Sequence, residues 1–198
     1  MSKTPENSSR KTLNPENWVD QYGDYLYRFA LGRLCNPEEA ENVVQETFLA
    51  ALKAQTGFSG KSSERTWLIG ILKHKIIDYL RRYYREKSIE DISNNEEIIN
   101  QFYHDSGKLK KSPSGWLPNP VELLEKKEFW NIFKNCREKL PRAIRDAFTL
   151  KEIEQMESKK ICETLNITQS NYWVLLHRAR FLLRQCLEEN WFDISSKD

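Results

Sequence analysis

The segment QSNYWVLLHRAR, near the end of the chain, combines side chains that can recognise a nucleic acid: amides, two aromatic rings and several cations. A core helix would carry less charge, and a solvated helix would have no need of the rings. Apolar residues recur at intervals of three and four, so Tyr172, Leu176 and Ala179 are expected to face inward. The side chains that then share the outward face are Gln169, Ser170, Trp173, His177 and Arg178.

The residues that precede this segment complete a helix-turn-helix pattern. Ile161 and Leu165 lie on the inner face of a short first helix. Asn166 suits the left-handed backbone of a turn, and Thr168 is a good N-cap for the second helix. In such motifs the start of the second helix enters the major groove. The cations expected to hold phosphates behind it are Arg178, Arg180 and Arg184. The alternative is an ordinary helical hairpin whose charges face water.

A second basic and aromatic segment, RTWLIGILKHKIIDYLRRYYRE, predicts a long helix. Its apolar stripe begins at Trp67 and continues through Leu72. The other positions are largely charged: Lys73, His74, Lys75, Asp78, Arg81, Arg82 and Arg85. A basic face interleaved with the rings of Trp67, Tyr83 and Tyr84 suits unstacked bases, because rings stack on bases while cations hold phosphates. The alternative is an amphipathic helix whose charged face is solvated.

The preceding helix, PEEAENVVQETFLAALKA, has the opposite charge. Asn36 and Pro37 give it a clear start, because Asn caps helices and Pro suits the first helical position. The acidic side chains stand around an apolar stripe that we expect to include Val43, Val44, Phe48 and Leu52. An acidic helix beside a basic one is explained if the first binds a protein and the second binds DNA.

Helical periodicity covers most of the chain, beginning with WVDQYGDYLYRFALGRL, whose expected apolar stripe includes Tyr25 and Leu26. No alternation typical of strands occurs. We therefore expect an all-α protein of two small helical domains joined by a flexible linker, with the helix-turn-helix in the second. The expected ranges are a disordered tail at 1–14, a first domain at 15–88, a linker at 89–120 and a second domain at 121–194. The apolar linker residues are Ile98, Ile99, Phe102 and Trp116.

Composition excludes several functional classes. The formal net charge of the 198 residues is only +2, so affinity for a nucleic acid has to come from local patches. No apolar run is long enough to span a membrane and no signal peptide begins the chain, which predicts a cytoplasmic protein without direct membrane insertion. The four cysteines lack the spacing of a metal or redox pair, so we expect buried thiols, as at Cys162 and Cys186, and neither metal nor cofactor.

Three segments in order resemble the sigma factors of bacterial RNA polymerase, of the small two-domain extracytoplasmic-function type. They are AENVVQETFLAAL, GKSSERTWLIGILKHKIIDYLRR and the stretch from LPRAIRD to HRARFLLR. The resemblance implies sigma region 2 at 15–88 and sigma region 4 at 121–194. It also implies that the chain binds core polymerase, then recognises and melts promoter DNA to initiate transcription. An anti-sigma factor is a further implied partner.

The resemblance also implies a role for individual residues. The polymerase-binding residues would be Asn42, Gln45 and Glu46. The residues at the −10 element would be Phe58, Lys61, Trp67, Lys73, His74, Lys75, Arg81 and Arg82. The residues at the −35 element would be Gln169, Ser170, Asn171, Trp173, His177 and Arg178. The chain departs from the family pattern at Asn42, often Asp, and at His74, often Asn. It departs again at Trp173-Val174-Leu175, where small and basic residues are usual.

Two other classes of function remain as alternatives. A helix-turn-helix regulator would bind an operator without being a polymerase subunit, but it leaves the paired acidic and basic helices without a role. A helical interaction protein without a DNA target leaves the basic face unexplained. An enzyme is not expected, because the histidines are far apart in sequence and neither a phosphate loop nor a nucleophile motif occurs.

Overall fold

The computed structural model describes residues 13–87 and 127–192, and every regular element within these ranges is helical, as predicted. The helices are α1 (Trp18–Leu34), α2 (Pro37–Ala54), α3 (Glu64–Glu86), α4 (Lys127–Glu138), α5 (Arg142–Phe148), α6 (Ser158–Leu165) and α7 (Gln169–Leu187). Short 3-10 turns lie at Pro15–Asn17 and Gln55–Gly57, and π-helical turns lie at Thr149–Ile153 and Glu188–Phe192. The chain divides into two compact units, one ending at Leu80 and the other beginning at Arg81.

Some predicted features fall outside the described residues. They are most of the N-terminal tail, the linker at 89–120 with Ile98, Ile99, Phe102 and Trp116, and the start of the second domain at 121.

Helices α1 and α2 begin and end where the sequence predicts. The Asn36 side chain accepts a hydrogen bond from the Glu39 amide at 3.1 Å, and Pro37 occupies the first turn. The Asn36 oxygen thus satisfies a backbone donor that the helix itself cannot pair. The core of the first unit is built from one face of each helix: Leu26, Ala30, Leu34, Ala40, Val43, Val44, Ala51, Leu68, Leu72, Ile76 and Leu80.

Two residues expected in apolar stripes of this unit are exposed instead. Leu52 has 43% of its surface exposed, because a separation of nine helical residues places it opposite Val43. Tyr25 is 40% exposed, and the guanidinium carbon of Arg65 lies 4.6 Å from its ring centroid. Both stripes are therefore narrower than the sequence suggested.

Tyr84 was predicted to be an accessible ring on the basic face of α3, and this prediction was wrong. Its ring is buried in the second unit and its hydroxyl donates a hydrogen bond to Asp146 Oδ2 at 2.8 Å. The Nε atoms of Arg142 and Arg145 lie 3.6 and 3.7 Å from the same carboxylate. A buried carboxylate requires such partners. The sequence cannot reveal that one of them is Tyr84, which is 62 positions away from Asp146.

The prediction of a buried free thiol at Cys186 was also wrong. Cys186 on α7 forms a disulfide with Cys136 on α4, with 5.7 Å between their Cα atoms. Cys162 is free but only partly buried. Because the bridged cysteines are 50 positions apart, only the packing of the two helices brings them together.

Candidate nucleic-acid interface

The start of α3 is fixed by a carboxylate within an aromatic cluster. Glu64 Oε1 accepts hydrogen bonds from the Trp18 indole at 3.0 Å and from the Asn14 amide at 2.6 Å. Glu64 Oε2 accepts one from the Tyr22 hydroxyl at 3.2 Å. Burial acts to raise the pKa of Glu64, but these hydrogen bonds outweigh it and lower the pKa below the ordinary 4.5. Burial and the same carboxylate raise the pKa of Tyr22. The cluster holds Glu64 ionised and fixes α3 against α1.

Phe58 and Trp67, both predicted for the −10 element, lie together beside this cluster. Their ring centroids are 5.3 Å apart, and the Trp67 ring lies 5.9 Å from that of Trp18. Both rings are partly buried, so each keeps one part in the core and another at the surface. Lys61, in the loop between them, is exposed.

The cations predicted for α3 lie in two environments. Lys73, His74, Arg81 and Arg82 are exposed along the helix. Lys75 is partly buried, and its Nζ lies 3.5 Å from Glu46 Oε2 on α2. The structure therefore pairs a residue predicted to contact DNA with one predicted to contact polymerase. Separate partners for these two side chains were expected from the sequence.

The outer face of α2 combines polar and apolar side chains. Asn42 and Gln45 are exposed, and Gln45 Nε2 donates to Glu41 Oε1 at 3.3 Å. Leu49 and Leu52, which follow at helical spacing on the same face, are 59% and 43% exposed. Sequence reasoning missed both leucines as surface residues. The spacing of four and seven positions from Gln45 was the signal that would have found them.

The helix-turn-helix forms as predicted. Asn166 ends α6 in the left-handed conformation, with φ 53° and ψ 47°. Thr168 Oγ1 caps α7 by accepting a hydrogen bond from the Asn171 amide at 3.2 Å. Tyr172 is fully buried between the two helices, and its hydroxyl accepts a hydrogen bond from Ser158 Oγ at 3.2 Å. These contacts fix the angle at which α7 leaves the turn.

The start of α7 presents most of the predicted −35 residues to solvent. Gln169, Ser170, Trp173 and His177 are exposed, whereas Asn171 and Arg178 are half-buried. The half-exposed Trp173 ring leans on Tyr172, with ring centroids 5.0 Å apart. Val174, which was not predicted as a site residue, is also exposed.

Two of the arginines expected to hold phosphate form ion pairs within the protein. Arg180 contacts Glu152 at 2.8 Å, and Arg184 contacts Glu188 at 3.0 Å. A phosphate contact by either residue would therefore compete with a carboxylate. Arg178 remains the predicted phosphate contact nearest to the start of the helix.

Within residues 13–87 and 127–192 no group of three or more His, Cys, Asp or Glu side chains is arranged to hold a metal ion. In the same ranges no helix is both long and apolar enough to cross a membrane.

Comparisons with known proteins match both units. The model of sigma-70 region 2 matches residues 18–86, and the model of sigma-70 region 4 matches residues 131–183. A probable RNA polymerase sigma factor from Haemophilus influenzae is 35% identical over 176 residues, which cover 86% of this chain and 88% of that protein. The chain belongs to the sigma-70 family of RNA polymerase sigma factors. It is of the extracytoplasmic-function type.

More distant relatives agree with this identification. The extracytoplasmic-function RNA polymerase sigma factor SigM from Bacillus subtilis is 26% identical, covering 82% of this chain and 88% of its own length. The RNA polymerase sigma factor YlaC from the same organism is 28% identical, covering 86% and 90%. This sigma factor directs promoter-specific initiation by RNA polymerase, and an operator-binding regulator is not favoured.

Proposed function

We propose that this sigma factor binds core RNA polymerase through the outer face of α2 and binds promoter DNA through two separate surfaces. Residues 15–88 act as region 2, which binds core and melts the −10 element. Residues 121–194 act as region 4, which reads the −35 element. The geometry of the helix-turn-helix is the observation that carries the promoter assignment, since it holds Gln169, Ser170 and Trp173 outward at the start of a capped helix.

The polymerase surface is the face defined by Asn42, Gln45, Leu49 and Leu52, with Glu46 at its edge. Adjacent exposed leucines flanked by polar side chains have the composition of a protein interface. Docking would remove both leucines from water and leave amide groups available for hydrogen bonds. The face therefore fits a protein partner better than a nucleic acid.

The −10 surface combines rings and cations. Phe58 and Trp67 supply neighbouring rings on which an unpaired base can stack, and Lys61 stands in the loop between them. The exposed cations of α3 are suited to phosphates: Lys73, His74, Arg81 and Arg82. Lys75 reaches DNA only when its contact with Glu46 is exchanged for a phosphate.

The two DNA surfaces are expected to act together only on the polymerase. Each is small and the whole chain has a formal net charge of only +2, so the free protein should bind DNA weakly. Core polymerase would set the spacing of the two surfaces and make the second contact effectively intramolecular. The chain works in the cytoplasm and uses no cofactor. The catalytic chemistry of transcription belongs to the polymerase. An anti-sigma factor is a further partner.

Run-off transcription tests this proposal. Purified protein is added to bacterial core polymerase on a pool of genomic fragments that includes DNA upstream of its own gene. We expect discrete transcripts that require the protein and are absent with core alone. A footprint by the protein alone, without transcripts or co-elution with core, would contradict the proposal.

A matched pair of variants tests the polymerase surface. Leu49→Asp places a charge in the proposed interface and should abolish co-elution with core polymerase. Val19→Asp introduces the same charge at an equally exposed apolar residue of α1, 64% exposed against 59%, and should leave co-elution unchanged. Equal behaviour of the two variants would exclude the outer face of α2 as the docking surface.

A further inference from the structure

The start of α7 carries an apolar pair among polar and basic neighbours. Trp173 is 51% exposed and Val174 is 42% exposed. Both lie within the first two turns of the helix, the part of a helix-turn-helix that approaches base edges. Side chains that read bases only through hydrogen bonds would be polar at these positions. This pair therefore requires a separate explanation.

The Trp173 ring has a support within the core of the motif. It leans on Tyr172, whose ring is fully buried and whose hydroxyl is bonded to Ser158. A ring supported by the core of the motif loses little conformational freedom when it makes a contact. The support favours a recognition role for Trp173.

The charges around the pair indicate the class of partner. Helix α7 contains no acidic residue over its 19 residues, and it carries His177 and Arg178 one turn beyond the pair. Lys159 and Lys160 are exposed on α6, as is Glu163, so α6 adds a net charge of +1. The complementary surface is therefore anionic and yet offers apolar groups. The major groove of DNA has this combination, because the thymine 5-methyl groups project into it between the phosphate backbones.

We propose that Trp173 and Val174 read thymine 5-methyl groups in the −35 element and thereby set the promoter specificity of this sigma factor. This inference rests on the proposed function, because it assumes that α7 lies in the major groove of that element. It assigns sequence preference to apolar contact at these positions, with Gln169 and Ser170 left to supply hydrogen bonds. The −35 element is therefore required to contain A·T base pairs opposite Trp173 and Val174.

Replacing thymine by deoxyuridine tests the inference, since this change removes the methyl group and keeps every hydrogen-bonding group. The promoter found by run-off transcription is synthesised with deoxyuridine at each thymine of the −35 element on both strands. Holoenzyme binding should weaken roughly three- to fivefold for each methyl group contacted. Deoxyuridine placed only in the spacer should have no effect.

Variants connect the effect to the named side chains. Trp173→Ala and Val174→Ala should each bind thymine DNA more weakly and show a smaller loss on deoxyuridine DNA than the wild type. Trp130→Ala is the matched control, since Trp130 lies on α4 and is 48% exposed. It should keep the full wild-type ratio between the two DNAs. Thermal unfolding of each variant, followed by circular dichroism, confirms that the second unit is folded.

Several outcomes would overturn the inference while leaving the sigma-factor function intact. One is a −35 element without A·T pairs. Another is equal binding of thymine and deoxyuridine DNA by the wild-type holoenzyme, which is expected if Trp173 packs on a sugar. A third is a Trp173→Ala variant that transcribes normally but loses a protein partner. Failure of the proposed function itself would be seen earlier, as the absence of any transcript from unmodified DNA.

Discussion

At the scale of single residues, Glu64 connects three parts of the first unit. One carboxylate receives hydrogen bonds from an indole, a hydroxyl and a backbone amide, and those donors lie 42 to 50 positions earlier in the chain. The proposed −10 rings lie beside it, because Trp67 packs on the indole of Trp18. Glu64 therefore positions the proposed −10 rings through its hydrogen bond to Trp18, on which Trp67 packs.

Replacement of Glu64 should destabilise the first unit in a pH-dependent way. Glu64→Ala leaves the indole of the buried Trp18 without its acceptor and should cost about 1 kcal/mol at neutral pH. Because the pKa of Glu64 is lowered in the folded protein, its stabilisation is complete above the unfolded value of about 4.5. The stabilisation is lost as the pH falls through the folded value.

Hydrogen exchange of peptides from α1 and α3, measured at several pH values, follows this effect. Wild type should approach the Glu64→Ala variant as the pH falls below 4.5. The control is Glu16→Ala, a change at an exposed neighbour that should match wild type throughout. A constant difference between wild type and Glu64→Ala down to the lowest pH would show that the charge of Glu64 is not responsible.

Individual residues differ in how well the sequence predicts them. The inward Tyr172 and outward Trp173 follow from helical spacing alone, and both predictions are confirmed. The partners of Glu64 and the burial of Tyr84 depend on residues far away in the chain, so periodicity carries no information about them. The roles of the candidate polymerase and DNA residues stay predictions.

At the scale of helices, local signals determine the boundaries. Helices α1 and α2 match their predicted ranges. The start of α2 can be predicted because it depends on residues that are neighbours in the sequence. Asn36 extends its side chain to the Glu39 amide. The width of the apolar stripe is harder to predict from residue type, because Leu52 is apolar and yet faces outward. Sequence therefore predicts where a helix begins better than which face of it is buried.

The cap of α2 gives a prediction with a matched control. Asn36→Ala removes the hydrogen bond to the Glu39 amide and should destabilise the first unit by about 1 kcal/mol. Asn17 occupies the same position before α1 but makes no such side-chain bond, so Asn17→Ala should change stability by a few tenths of that amount at most. Denaturant unfolding of both variants makes the comparison. Equal losses would mean that Asn36 does not act as a cap.

At the scale of the whole molecule, the disulfide between α4 and α7 is the feature furthest from the sequence prediction. Disulfides are rare in reducing compartments, and the spacing of the four cysteines gave no reason to pair them. The all-helical architecture was predictable because it is the sum of local periodicities. The contact between these two helices was not, because it is a property of the folded core.

Removal of the disulfide should destabilise the second unit. Cys136→Ser combined with Cys186→Ser reopens a loop of 50 positions and should lower the free energy of unfolding by about 2–4 kcal/mol. A reducing agent should bring the wild type to the same value. Cys162→Ser is the control, because its thiol is unbridged. An unchanged unfolding midpoint in the double variant would contradict this prediction.

Helix α7 connects the disulfide to the proposed −35 surface. The bridge holds it at Cys186, near one end, while Trp173 lies near the other. At about 1.5 Å per residue the two positions are roughly 20 Å apart, so a tilt of about 5° at the bridge would displace Trp173 by nearly 2 Å. Recognition geometry tolerates errors of only about 0.5 Å. The orientation of the proposed recognition end therefore depends on the bridge at the far end as well as on the buried Tyr172 beside Trp173.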